Sequence, residues 1–583
     1  MLTMINMRAP LRCIIQFVFC LLVFNYGNAF AVTPTEIKLR YHLDSQLNNE
    51  QLVLHVRLDM KGMTSKRSVL VLPSTWGDVN GLGNGIQHLR AESANTKITD
   101  TSDPLRKFLE VSDSTSASIS YDVLKDWDGP LRENVRHLVH LEPTWIEINT
   151  GNALIHPALK PSDPVDCSFE WSIPVGWSLA TSFGVRDRQQ HFRGVWDRVQ
   201  NAVFVAGDFR IHKQKRGRER LFLAVRGTWC VSDDEAKKKI TEIFAIERAF
   251  WKDDDFPYYL VTVVPFDSSQ RGVSGGGGFT DAFSIHTAPE EGFTIGLLSL
   301  FTHELFHAWN PYKIGRMPNA PEDIYWFTEG FTTYYQSLLL WRGGLLTTQQ
   351  YLNAMNQSLR NYYLSPSRNI TTKELIQLAQ SGHGKDQISY DRGAAIALWL
   401  DWSIRRKTHS QKTLGDVMRE LVLEGRTQGH SFPELTSDQV FAVTSKYISV
   451  DEQAQMKAFV NGIVNVKFPG DALQPCAVEQ LVDIPRFDIG MSRDQLENKR
   501  VVTNLEAGSE AQKAGIEEGD KVIKLSVYWD DVTKPVDLTV ERGGAILPFT
   551  FRPTGASLGL VPQFSLQSST DSQSCPPPLS TPR

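Results

Sequence analysis

The chain has 583 residues, 41% of them hydrophobic and 22% charged, with a net charge of -5. That length excludes a single hydrophobic core and points to roughly two to four domains. The near balance of charge excludes a basic nucleic-acid-binding field and a strongly acidic tail.

The N-terminal stretch differs from the rest. Arg8 and Arg12 precede an apolar run from Cys13 to Phe24, and Ala29 and Ala31 occupy the small-residue positions of an A-x-A cleavage site. Residues 1–31 therefore read as a signal peptide, and the protein is expected to be exported, either periplasmic or secreted. No later segment approaches the ~18 consecutive apolar residues of a membrane helix, so no membrane span is expected after signal removal. Cys167, Cys230, Cys476 and Cys575 remain after that removal. Spacing does not choose among their pairings, and no C-x-x-C suggests a thiolate metal site.

Residues 32–228 read as strands. "QLVLHVRLDM" alternates, "RSVLVLP" is rich in β-formers, and "NAVFVAGDFRIHK" and "ERLFLAVRG" follow. These predict an antiparallel, sandwich-like β domain. The pattern changes at Ser232, where "SDDEAKKKITEIFAIERAFW" opens with Ser232 and Glu235 in capping-box spacing and repeats Ala236, Ile240, Ile243 and Phe244 at helical intervals. A strand, "YYLVTVV", and the glycine-rich "RGVSGGGGFTDAFSI" come next. Residues 229–345 thus form an α+β piece, and 346–472 are helical. After Pro475 the chain is β-rich again. Residues 556–583 end in a Ser, Thr, Gln and Pro tract expected to be a disordered tail.

Within this order, "SLFTHELFHAWNP" places His303 and His307 four residues apart on one helical face. Two imidazoles so spaced can bind one divalent metal at about 2.0–2.1 Å. Glu304 lies about 100° round the helix, where it can reach a water on that metal as a general base. A third ligand is available in "WFTEGFTTYY", where Glu329 stands on a second helix that can fold back beside the first. Two nitrogens and a carboxylate suit zinc over calcium or magnesium. In "SYDRGAAIALWLD", Tyr390 stands at the start of an apolar helix, where its phenol could stabilise an oxyanion.

Together "HELFHAWNPYKIGR", "WFTEGFTTYY" and "YDRGAAIALWLD" resemble the glycyl aminopeptidase family of zinc metallopeptidases. These are gluzincins, similar in their catalytic domain to aminopeptidase N and thermolysin. The resemblance implies a multidomain α+β fold. Its parts are the N-terminal antiparallel β domain, a thermolysin-like zinc domain at 229–345 with a helical extension at 346–472, and a C-terminal PDZ-like β domain at 480–555. It also implies one Zn2+ per chain, held by His303, His307 and Glu329. Glu304 then becomes the base and Tyr390 the transition-state stabiliser.

The C-terminal part carries "VVTNLEAGSEAQKAGIEEGDKVIKL", in which Gly508, Ser509, Ala511, Ala514, Gly515, Gly519 and Asp520 resemble a PDZ domain. Such domains bind extended peptides, often C-termini, by strand addition. Ile489, Gly490 and Met491 stand where the peptide-binding loop would be. A purely structural role for this domain is the alternative.

One departure bears on specificity. Family members carry Gly-Gly-Leu-Glu-His before the zinc helix, and that glutamate helps hold the substrate's amino group. Here Thr280 and Asp281 stand in place of the Glu and His. Asp281 is not a simple substitute if both lie on a strand, since neighbouring strand residues face opposite ways. Gly276, Gly277 and Gly278 still allow a substrate backbone to approach closely. With Asp281 they form the candidate substrate-binding set. Glu290 and Glu291 are other acids within reach in sequence, although both also suit a helix N-terminus.

The expected function is an exported zinc metallopeptidase, aminopeptidase-like, acting on peptide or protein substrates and binding no nucleic acid. The alternative is a PDZ peptide-binding protein on a gluzincin scaffold with little turnover. A third reading is an endopeptidase whose substrate is captured by the PDZ-like domain.

Overall fold

The computed structural model describes residues 36–567 except 49, 64, 77–78, 113–114, 217–218, 254, 268–273, 319, 381–386, 428–432 and 529–531. The expected signal peptide and residues 568–583 of the expected tail lie outside the described residues.

Alternation builds the N-terminal sheets. Strand Ile37–Asn48 turns Leu39, Tyr41 and Leu43 to one face, all buried. It is central in a six-stranded sheet, antiparallel to Gln51–Lys61 but parallel to Pro164–Ser172. The expected all-antiparallel domain is therefore corrected. The long chain between those two strands leaves room for a crossover, which a local alternation pattern does not reveal. A five-stranded and a four-stranded sheet complete this region.

The boundary expected at 228 is also corrected. Strands Arg210–Arg216 and Glu219–Val225 belong to the next sheet, ordered Arg210–Arg216, Glu219–Val225, Tyr259–Pro265, Ala282–Thr287, Ser274–Phe279. Glu219–Val225 and Tyr259–Pro265 are parallel. Helix Asp233–Trp251 makes the crossover between them, as a parallel pair requires. Ser232 caps this helix by accepting the Glu235 N–H, and Ala236, Ile240, Ile243 and Phe244 are buried as their spacing predicts. The last strand of the sheet, Ser274–Phe279, is the glycine-rich segment. It lies on the sheet's edge, antiparallel to Ala282–Thr287.

A buried carboxylate ties the two sheet systems together. Glu147, on strand Trp145–Asn149, accepts from Ser284 Oγ at 2.5 Å and contacts His286 Nε2 at 2.9 Å. Both partners lie on Ala282–Thr287. Helices follow, among them Ile295–Phe306, Gly330–Arg342, Thr348–Leu364 and Ile388–Lys407. None of the helices among the described residues is long and apolar enough to cross a membrane.

The C-terminal β region has a three-stranded sheet, Lys521–Ser526, Val536–Arg542 and Ala545–Phe551, around its own small core. Ile489 and Met491 sit in that core. A second pairing joins Ala477–Phe487 to Thr554–Leu566. The latter strand corrects the expected tail, since residues 556–566 are ordered into it. Its carboxyl half rests on helix Thr348–Leu364, where Asn356 bonds both the N–H and C=O of Phe564 and Val561 and Phe564 are buried. That docking partner is some two hundred residues away in sequence, as the separation of 208 shows. Cys167 and Cys230 are free thiols, and Cys476 is disulfide-bonded.

Candidate active site

Helix Ile295–Phe306 is apolar over most of its surface, and Leu297, Leu298, Phe301, Leu305 and Phe306 are buried. Thr294 caps its start by accepting the Leu297 N–H at 3.2 Å. His303 and Glu304 lie in its last turn, and His307 is its C-cap. The chain beyond is pinned by Asp253, which accepts from Trp309 Nε1 at 2.8 Å and pairs with Lys313 at 2.8 Å. Asn310 Nδ2 donates to the Phe327 carbonyl at 3.2 Å, joining this segment to the one that carries Glu329.

Glu329 stands at the junction of two helices, Tyr325–Thr328 and Gly330–Arg342, rather than inside one. Its carboxylate meets His303 Nε2 at 3.2 Å and His307 Nε2 at 3.4 Å. One donor atom from each of His303, His307 and Glu329 lies within 4.8 Å of the others. The opposite ring nitrogens are both engaged. His303 Nδ1 faces Gln336 Oε1 at 2.9 Å, and His307 Nδ1 faces the Asn310 carbonyl at 2.9 Å. With Nδ1–H donating to oxygen, each Nε2 presents its lone pair to the shared centre, as a metal-binding histidine requires. Two imidazoles and one carboxylate, each oriented in this way, fit a zinc ion.

The electrostatics also favour a cation there. Burial would lower the His307 pKa, but the Glu329 carboxylate outweighs it and holds the imidazole up at about 9, so that a metal would take the place of a proton at Nε2. Tyr390 is the third residue of helix Ile388–Lys407, and its ring stacks on His303 with centroids 6.1 Å apart. Its side chain is half-buried. Desolvation of the phenol, and then the negative charges of Glu329 and Glu304, push its pKa well above the usual value. The phenol therefore keeps its proton and remains a donor.

The glycine strand crosses directly above Glu304. A methyl group on Gly276 would stand 2.8 Å from Glu304 Cγ, and one on Gly278 would stand 3.4 Å from His307 Cβ. Glycine is needed here so that backbone can lie against the helix face. Tyr312 donates to the Gly278 carbonyl at 3.3 Å from the other side.

Thr280 and Asp281 do not lie on a strand. They connect Ser274–Phe279 to Ala282–Thr287, and Asp281 has φ 49°. This corrects the alternation argument, because a tight connection has no two-faced pleat. The Asp281 carboxylate is taken by Arg198 at 2.5 Å. Of the candidate substrate-binding set, the structure brings Gly276 and Gly278 to the metal cluster, places Gly277 between them, and commits Asp281 elsewhere. Glu290 and Glu291 precede the motif helix, whose start lies roughly two turns before His303, and Glu291 accepts from the Thr294 hydroxyl at 2.6 Å. They take the helix-terminal role.

Gln336, Asn310 and Tyr312 were not evident from the motif. Gln336 lies two turns beyond Glu329 on one helix face, a spacing that is legible in sequence once Glu329 is taken as a ligand. Asn310 and Tyr312 carry no such signal.

Residues 296–396, the segment that holds all of these candidate ligands and Tyr390, match the family model of the M61 glycyl aminopeptidases. No curated protein matches the chain. The fold is similar to that of an aminopeptidase N family protein from Idiomarina loihiensis, with a TM-score of 0.67 and 19% identity over 91% of this chain and 98% of that one. It is also similar to an M1 zinc metallopeptidase from Deinococcus radiodurans, with a TM-score of 0.46 and 14% identity over 75% of this chain and 94% of that one. In the segment that carries His303, His307 and Glu329 the chain is thus similar to the M61 glycyl aminopeptidases.

Proposed function

We propose that this protein is an exported aminopeptidase that removes residues from the N-termini of peptides, with Glu304 as general base. The observation that carries the reading is the convergence of His303, His307 and Glu329 within 4.8 Å, directly beside Glu304 and beneath an edge strand. Zinc bound there supplies Lewis acidity. Glu304 takes a proton from the attacking water and returns it to the leaving amine. Tyr390, held protonated, donates toward the oxygen on which charge develops. The edge strand offers its backbone to an extended peptide, and its glycines leave no side chain in the way.

Export rests on the N-terminal pattern of Arg8, Arg12, the apolar run and Ala31. A PDZ-like role for the C-terminal β region is supported by its turns, with Gly515 at φ 100° and Gly519 at φ 88°. The separate core of that region supports it as well.

The test is made with the purified, zinc-loaded protein. About one zinc per chain is expected. Trialanine should be cleaved and N-acetyl-trialanine spared. Glu304→Gln should retain the metal while kcat falls by orders of magnitude. Lack of zinc uptake would remove the site, unchanged activity in Glu304→Gln would remove the base, and equal cleavage of both peptides would exclude an aminopeptidase.

A further inference from the structure

Helix Gly330–Arg342 serves two places. Gln336 meets His303 Nδ1 at the His303, His307 and Glu329 cluster, whereas Tyr334, Tyr335, Leu338, Trp341 and Arg342 line a cavity of about 740 Å³. Helices Asp233–Trp251, Thr348–Leu364 and Ile388–Lys407 contribute its other walls. Neither the candidate metal ligands, nor Glu304, nor the glycine strand is among its described lining residues. Packed interiors leave few voids larger than a water, and a cavity of this size is that of a small-molecule site, roughly 300–1,000 Å³.

The walls are aromatic. Trp341 stacks on Tyr351 with centroids 4.5 Å apart, and Phe250 packs on Tyr335 at 4.7 Å. Tyr334 and Tyr335 are 2% exposed and Tyr351 is 1% exposed. None of these three phenols has a hydrogen-bond partner among the described residues. A buried tyrosine hydroxyl ordinarily finds one. Three unpartnered phenols round one cavity therefore call for an occupant with polar atoms of its own.

The charge of the lining sets the sign of that occupant. Lys252, Arg342, Arg405 and Arg419 face a lone carboxylate, Asp401, among the described lining residues. Asp401 is already taken, by Arg405 at 2.9 Å and the Leu414 N–H at 2.8 Å. Arg419 pairs with Asp416 at 3.1 Å. Arg342 has neither an ion pair nor a hydrogen bond among the described residues, and its Nε is buried. A guanidinium in such a place is costly without an acceptor, and its planar fork matches a carboxylate.

We infer that this cavity is a second binding site, apart from the peptidase cleft, for a small aromatic carboxylic acid. The carboxylate pairs with Arg342, and the ring packs among Phe250, Tyr335 and Trp341. The inference does not depend on the aminopeptidase reading.

The experiment is calorimetric titration of the purified, zinc-loaded protein with indole-3-propionate and with indole-3-propionamide, its uncharged counterpart. The acid should bind with a Kd below about 1 mM, and the amide at least about 10-fold more weakly. Arg342→Gln should weaken the acid about 10-fold or more and bring it level with the amide. Leu338→Trp, which fills the cavity, should abolish binding of both. Zinc content and circular dichroism establish that each variant is folded. Should Leu338→Trp fail to fold, Arg342→Gln decides alone. The assignment falls if the acid shows no binding up to roughly 5 mM, or binds no better than the amide. It falls equally if folded Arg342→Gln and Leu338→Trp bind the acid as the wild type does, which would place the carboxylate at the metal instead. Peptide cleavage is not the readout, so failure of the aminopeptidase reading leaves this result intact.

Discussion

Gly330 and Gly393 meet backbone to backbone. A methyl group on Gly330 would stand 2.3 Å from the Gly393 Cα, and one on Gly393 would stand 2.2 Å from the Trp326 carbonyl oxygen. Gly330 follows the candidate ligand Glu329, and Gly393 lies one turn after Tyr390. The absence of two side chains thus sets the distance between the carboxylate and the phenol.

Gly393→Ala should force helices Gly330–Arg342 and Ile388–Lys407 apart. Overpacking of this kind costs about 1–3 kcal/mol. A displacement near 1 Å at a reacting centre can cost about 10²-fold in rate. The expected result is a lower unfolding midpoint, weaker zinc retention on dialysis and a fall in kcat. A variant with native zinc content and native kcat would show that this contact does not position the site.

Gln336 holds the ring of His303 by its Nδ1 and does not itself touch the metal position. Gln336→Ala should therefore lower zinc affinity by about 10–100-fold. Competition against a chelator of known affinity measures this directly. Gln336→Glu keeps an acceptor at the same place and should retain most of the affinity. An unchanged affinity in Gln336→Ala would mean that the helix alone orients His303.

The junction between the N-terminal and metal-binding sheets should be acid-labile. Burial depresses the His140 pKa from 6.5 to about 4. Burial would raise the pKa of Glu147, but His286, His140 and Ser284 together lower it from 4.5 to about 2. Each group binds fewer protons folded than unfolded, so stability rises with pH and is lost on acidification. The loss begins below about pH 6.5 through His140 and continues from about 4.5 toward 2 through Glu147. Urea midpoints between pH 8 and 3 should fall along this course, with ~8 and ~3 chosen to bracket the two titrations. Glu147→Gln should flatten the lower part of the curve. At neutral pH it should cost about 3–5 kcal/mol, because it breaks the buried contact with His286. A parallel curve in Glu147→Gln would show that the junction does not titrate through this residue.

His303, Glu304 and His307 were legible from their spacing alone, because a helix fixes the relation of residues one turn apart whatever surrounds it. Glu329 followed from the need for a third ligand, and the helix at Asp233–Trp251 from its cap and periodicity. Everything set by contact between distant segments was decided only by the tertiary structure. The sheet that claims Arg210–Arg216 and Glu219–Val225, the strand in what read as a tail, and the close approach of Gly330 and Gly393 all belong here. Strand pairing and helix approach depend on which surfaces meet, and that leaves no period in a single segment.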